Sequence, residues 1–137
     1  MTSKTTTAGS DIDRQAVLDV LAGLYQAWAA GDAETFVADY TEDASVIQSG
    51  VYEKDREEIR TNMAAAFAGP LNGSRVASHP VDVRFLTGDT AIVVSEDGII
   101  FPGQEAVASE RLVRATWVLV RRDAGWRIAS YHNSPAS

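Results

Sequence analysis

The stretch GWRIASYHNS (residues 125–134) alternates like a strand but finishes in hydrogen-bonding side chains: Ser130, Tyr131, His132, Asn133 and Ser134. Of these, His132 can donate, accept or shuttle a proton near neutral pH, which makes it the first candidate for acid/base chemistry on a bound ligand. The structural alternative is that its imidazole closes the open end of a sheet through Ser134 or a backbone carbonyl. Glu96 is the carboxylate expected to pair with it. Desolvated, Glu96 could orient the imidazole or act as a base; solvated, it is an ordinary strand-end charge. Trp28, Tyr40, Met63, Phe67 and Trp117 offer the large apolar area, tipped with polar atoms, that a small-molecule cavity uses. Taken singly, each is also ordinary core. Tyr25 and Tyr40 could donate to a ligand carbonyl. Ser130 joins the expected lining, but no nucleophile-elbow motif surrounds it, so a serine-hydrolase triad is not indicated.

Other chemistries are poorly supported. The chain has no cysteine, hence no disulfide, no thiolate nucleophile and no thiolate metal site. Two distant histidines, His79 and His132, with scattered acids make no metal-ligand pattern. Gly73, Gly98 and Gly103 lack the spacing of a phosphate-binding loop, and no cofactor is implied. A net charge of −7 without a long basic cluster disfavours nucleic acid and anionic membranes. No apolar run reaches the roughly eighteen residues of a membrane span, and MTSKTTTAGS lacks the hydrophobic centre of a signal peptide. The expected location is therefore the cytoplasm.

These side chains need a scaffold, and 137 residues at 45% apolar composition suit one domain. Residues 1–10 are set aside as a disordered tail, leaving one domain over 11–137. Ser10 or Asp11 can cap a long amphipathic helix marked by Ile12, Val17, Val20, Leu21, Leu24, Tyr25 and Trp28, with its stop at Gly31. Asp32 can cap a second, short helix carrying Phe36, Val37 and Tyr40. ASVIQSGVYEK reads as a short hairpin or as one strand and a connection. Asp55 with Glu58 opens a third helix with Ile59, Met63 and Phe67 on its buried stripe, ended by Gly69-Pro70. The period then changes to two, with strands near 75–87, 90–101, 108–122 and 125–134 and turns at Gly88-Asp89, Pro102-Gly103 and Asp123-Ala124-Gly125. Helices followed by hairpins are an α+β plan, in which a twisted sheet curls around the long helix and can leave a conical cavity.

Register decides which side chains look inward. A two-residue turn at Gly88-Asp89 sets Phe85 opposite Ile92 and Val83 opposite Val94, with Glu96 continuing that inner face. In the last hairpin, Arg121 opposite Trp126 sets Leu119 against Ile128, Trp117 against Ser130 and Ala115 against His132, turning His132 inward. A bulge would exchange the faces. Because both faces of this hairpin are substantially apolar, a second copy of the chain is expected to cover the outer one, giving a homodimer packed through the sheet.

The segments YQAWAAGDAETFVADYTEDASV (25–46) and TWVLVRRDAGWRIASYHNSP (116–135) resemble the NTF2-like superfamily, most closely its SnoaL-like and SgcJ/EcaC-type branch, over roughly residues 11–135. The resemblance implies a cystatin-like cone: a curved mixed or antiparallel sheet around a long N-terminal helix with two shorter helices, usually dimeric, with a pocket inside. It also implies a setting in bacterial secondary metabolism, including enediyne polyketides, and a polyketide or other apolar small molecule as ligand. Two roles follow: a cyclase- or isomerase-like accessory, or a non-catalytic carrier or assembly partner of a polyketide synthase. Steroid-isomerase-like relatives place a carboxylate two residues after the first strand's valine. Here that position holds Gln48, an amide that binds but takes up no proton at neutral pH.

Overall fold

The computed structural model describes residues 10–123 and 125–136, so the tail expected over residues 1–9 lies outside the described residues. Ser10, set aside with that tail, is instead the N-cap of helix α1 (Asp11–Ala30), its hydroxyl accepting from the Asp13 N–H at 3.1 Å. Val17, Leu21, Leu24 and Ala27 form the buried stripe of α1, whereas Ile12 is 82% exposed and falls outside it. Gly31 ends the helix in the left-handed region at φ 67°, which lets the N–H groups of Gly31 and Asp32 return to the Trp28 and Ala27 carbonyls. Asp32 then caps α2 (Ala33–Val37), and Asp55 caps α3 (Arg56–Ala68) through the Glu58 N–H at 2.8 Å.

Six strands follow these caps and turns: β1 (Tyr40–Gln48), β2 (Val51–Glu53), β3 (Arg75–Thr87), β4 (Thr90–Ile100), β5 (Val113–Arg122) and β6 (Gly125–Pro135). They form one sheet in the order β2-β1-β6-β5-β4-β3. The hairpins β3-β4-β5-β6 are antiparallel as the turn signals predict, and β6 lies parallel to β1, so the sheet is mixed. The strand expected from residue 108 begins at Val113, because residues 109–111 make a 3-10 turn.

Three single-residue bulges set the faces of this sheet. On β3, Leu86 is extra between the pairs Phe85–Ala91 and Thr87–Thr90, and Val81 is extra between Pro80–Ser95 and Asp82–Val94. On β6, Ala129 is extra between Ile128–Leu119 and Ser130–Val118. Side chains alternate with period two, so each extra residue exchanges the faces beyond it. The expected inner face of β4 is therefore corrected: Ala91, Val93, Ser95 and Asp97 are buried, while Ile92, Val94 and Glu96 belong to the outer face. Likewise Tyr131 pairs with Trp117 and Asn133 with Ala115, which turns Ser130 and His132 outward.

The inner face is continuous across the strands. One row runs Val83, Val93, Trp117, Tyr131, Val46 and Glu53, joined pair by pair from β3 to β2. Against it pack the buried stripe of α1, Phe36 and Val37 of α2, and Ile59 and Phe67 of α3, completing an α+β cone.

Candidate functional site

The helices leave the cone partly unfilled, and the hollow is a cavity of about 360 Å³. Its walls are mainly aromatic and aliphatic, with Trp28, Phe36, Tyr40, Ile59, Met63 and Trp117 among them. Ser49 and Arg111 are the exposed members of the lining and mark its mouth.

One polar cluster is built around Asp97, a carboxyl only 3% exposed. Alternation along β4 carries it to the inner face, while α1 brings Tyr25 down onto it. The Tyr25 hydroxyl donates to Asp97 Oδ2 at 3.3 Å, Ser95 donates to the same oxygen at 2.8 Å, and Ser78 donates to Oδ1 at 2.5 Å. Ser95 in turn accepts from the Trp117 indole N–H at 3.0 Å, so the aromatic wall is tied to the carboxyl. Burial pushes the Asp97 carboxyl above its ordinary range, with the three hydroxyls pulling the other way. Burial, reinforced by the Asp97 charge, holds the Tyr25 phenol well above its usual range.

Two further polar groups stand at the cavity, one joining β1 to β6 and the other β2 to α3. Asn133 donates to Tyr131 Oη at 2.7 Å and to Gln48 Oε1 at 3.2 Å, fixing the amide wall. Burial pushes the Tyr131 phenol up to about 12. Glu53, the inward residue of the short edge strand β2, is 5% exposed and accepts from Asn62 Nδ2 at 2.7 Å. Burial raises its carboxyl above the ordinary range, opposed by Asn62 and reinforced by the charge of Glu58. Asp97 has both oxygens occupied by hydroxyls, whereas Glu53 has protein hydrogen bonding to Oε2 alone among the described residues.

The residues expected from the sequence divide accordingly. Trp28, Tyr40, Gln48, Met63 and Trp117 line the cavity. Phe67 stands behind the wall, edge-on to Trp28 and Phe36 at 5.7 and 5.9 Å between ring centres. Ser130 lies on the outer face, its hydroxyl 2.9 Å from that of Ser45. His132 is exposed there too, on the row Val94, Thr116, His132, Ile47. Glu96 is paired with Arg114 at 2.6 Å on the outer face and does not meet the cavity. The titratable side chains expected at the cavity, His132 and Glu96, thus lie outside it, and the carboxyls that line it are Asp97 and Glu53. Asp97 stands next to Glu96 in the chain, and its signal was the alternation Ala91, Val93, Ser95, Asp97, the small-residue side of β4. Glu53 gave none beyond its place after a Ser-Gly turn. Among the described residues no three His, Asp or Glu side chains converge as a metal site.

Residues 17–137 match the family model of the SnoaL-like domain. A protein from Nostoc punctiforme with a cystatin-like fold is 27% identical, with a TM-score of 0.86 over 94% of this chain and 80% of that one. An NTF2-like family protein from Streptomyces avermitilis is 28% identical, with a TM-score of 0.74 over 93% and 98% of the two chains. A ketosteroid isomerase-like protein from Erwinia carotovora atroseptica shares the fold at 17% identity, with a TM-score of 0.72 over 93% and 99%. No curated protein matches the sequence. Among the described residues, no helix is long and apolar enough to cross a membrane.

Proposed function

The chain belongs to the SnoaL-like domain family, and on that premise we propose that it holds a largely apolar small molecule in its cone and acts on it as a cyclase- or isomerase-like accessory. The ligand class proposed is a polyketide-like intermediate of bacterial secondary metabolism, with enediyne assembly as the most specific setting. The observation that carries this reading is the Tyr25–Asp97 cluster, a buried carboxyl and its hydroxyls set into a largely aromatic and aliphatic cavity wall. A cavity of about 360 Å³ falls within the range that holds a drug-sized ligand.

The chemistry follows from the polar groups at the cavity. The Tyr25 hydroxyl, kept protonated by burial, can turn its single proton from Asp97 to a ligand carbonyl or to the enolate oxygen that forms from it. Burial raises the Asp97 carboxyl, and both its oxygens accept from Ser78, Ser95 and Tyr25, so Asp97 positions the Tyr25 hydroxyl rather than meeting the ligand itself. Glu53, with one oxygen lacking a protein partner among the described residues, is the group to take a proton from the carbon next to that carbonyl. The C–H bond breaks, an O–H bond forms on Glu53, and the electron pair moves to the oxygen facing Tyr25. Delivery of that proton to another carbon of the conjugated system completes an isomerisation without a redox partner. The aromatic walls exclude water and restrict the ligand's shape.

Gln48 favours a second reading, that of a non-catalytic carrier or synthase partner, because an amide fixed by Asn133 binds without titrating. In either role we propose a cytoplasmic homodimer, its sheets packed through the half-buried outer residues Ile92, Val94, Val118 and Val120.

The experiment is a fluorescence titration with 2-naphthol, read through Trp28 and Trp117. Saturable binding is expected, weakened roughly fivefold in Tyr25→Phe by loss of one hydrogen bond. Acceleration of deuterium exchange into 2-tetralone by the native protein, abolished in Glu53→Gln with naphthol binding retained, selects the catalytic role. Absence of saturable binding would overturn the ligand reading.

A further inference from the structure

Among the described residues Arg111 is the single cation in the cavity lining, and it stands at the mouth. The 3-10 turn Ser109–Arg111 delivers it there, and its guanidinium lies over the Phe101 ring at 4.8 Å from the ring centre. That stacking fixes the direction of a side chain that would otherwise be mobile. Among the described residues no carboxylate lies within ion-pair distance of it, although this acidic chain pairs six other cations. Arg111 also borders a second hollow of about 270 Å³, and Ile99 and Val113 line both spaces with it. The walls of the second hollow are mostly apolar: Phe101, Leu112 and Pro135 join Ile99 and Val113, with Glu110 beside Arg111.

We propose that Arg111 is an anion-binding group at the junction of the two hollows, selecting ligands with a carboxylate or phosphate on the end that reaches the mouth. The inference rests on the ligand reading above and narrows it. Among the described residues the interior offers an anionic end no cation, while a planar fork at the mouth accepts one in bidentate fashion. Charge therefore orients the ligand: neutral oxygen inward, anion outward. A chain too long for the first hollow continues past Arg111 along the apolar wall of the second.

The test compares 2-naphthol with 6-hydroxy-2-naphthoate, its homologues carrying the carboxylate on one to four methylenes, and the matching phosphate monoesters. At low salt the best anionic member binds roughly tenfold tighter than 2-naphthol, and the optimal chain length reads the reach to Arg111. Arg111→Gln erases that advantage, because an amide offers the anion neither the charge nor the bidentate fork of the guanidinium. The carboxylate and phosphate arms distinguish which anion the fork prefers. Binding of 2-naphthol with no anionic preference, or a preference that survives in Arg111→Gln, overturns this inference alone. Failure of even 2-naphthol to saturate the native protein overturns the ligand reading and this one with it.

Discussion

Tyr25 and Asp97 stand 72 positions apart in the chain, one on α1 and the other on β4, and are joined by a 3.3 Å hydrogen bond across the cone. The bond ties the long helix to the sheet at the place where the packed core gives way to the cavity. Asp97 is the shared acceptor of Tyr25, Ser78 and Ser95, so its loss affects three elements at once.

Asp97→Ala should therefore cost more than Tyr25→Phe. The alanine leaves three hydroxyls without their acceptor, a loss of about 1–3 kcal/mol or more, whereas Tyr25→Phe removes one hydrogen bond worth about 1 kcal/mol. Urea unfolding of both variants checks the order. Equal destabilisation would show that Asp97 is not the hub of the cluster.

The acidity of Glu53 should be visible in the stability profile. Burial raises its folded value, so the folded chain binds the proton more tightly than the unfolded chain. The associated stability is fully present below the ordinary glutamate range and is lost as pH rises through the raised folded value. Asp13, whose carboxyl is held low chiefly by its hydrogen bond to Arg121, has the opposite sign and loses stability as pH falls. Glu53→Gln isolates the first effect: relative to native, it should gain stability as pH rises from the ordinary glutamate range through the raised folded value. Melting temperatures across that window supply the comparison, and a constant difference between the two proteins would contradict it.

His132→Ala and Glu96→Gln should leave ligand affinity unchanged, because both side chains lie on the outer face. A tenfold loss of 2-naphthol affinity in His132→Ala would place the imidazole back in the cone.

Gly98 should resist substitution for a steric reason. A Cβ there would lie 2.2 Å from Val107 Cγ1 and 3.0 Å from Val107 Cβ, so the segment between β4 and β5 must shift to admit it. The β-branched side chain has little rotamer freedom with which to yield. Gly98→Ala should cost about 1–3 kcal/mol, and Val107→Ala in the same protein should recover part of that. Additive losses in the double-mutant cycle would remove Val107 as the cause.

The caps at Asp32 and Asp55, the Gly31 stop and the turns that separate the long strands were legible because each depends on a few neighbouring residues. The inner face of the sheet was not. Ile92 and Val94 are as apolar as Ala91 and Val93, so hydrophobic pattern alone does not choose between the two sides of β4. The choice is made by Leu86 and Val81, extra residues left 55% and 62% exposed, and by Ala129 on β6. A one-residue insertion in a strand gives no periodic signal, yet it exchanges His132 for Tyr131 and Glu96 for Asp97. Trp28 and Met63 reach the cavity from helices, whose placement does not depend on the bulges of the sheet, whereas Tyr40, expected on the second helix, opens β1 instead.

The place of β6 between β1 and β5 has a kinetic meaning. Until that strand arrives, the β1-β2 hairpin has no partner for its second edge, and two separately made halves must wait for one late insertion to weld them. Pairing Tyr40 with Ile128 or Val46 with Tyr131 closes a loop of more than eighty residues, an entropic hurdle of the kind that slows folding. Assembly should accordingly be gated by this one docking event, with the hollow coming into being in the same step that completes the sheet.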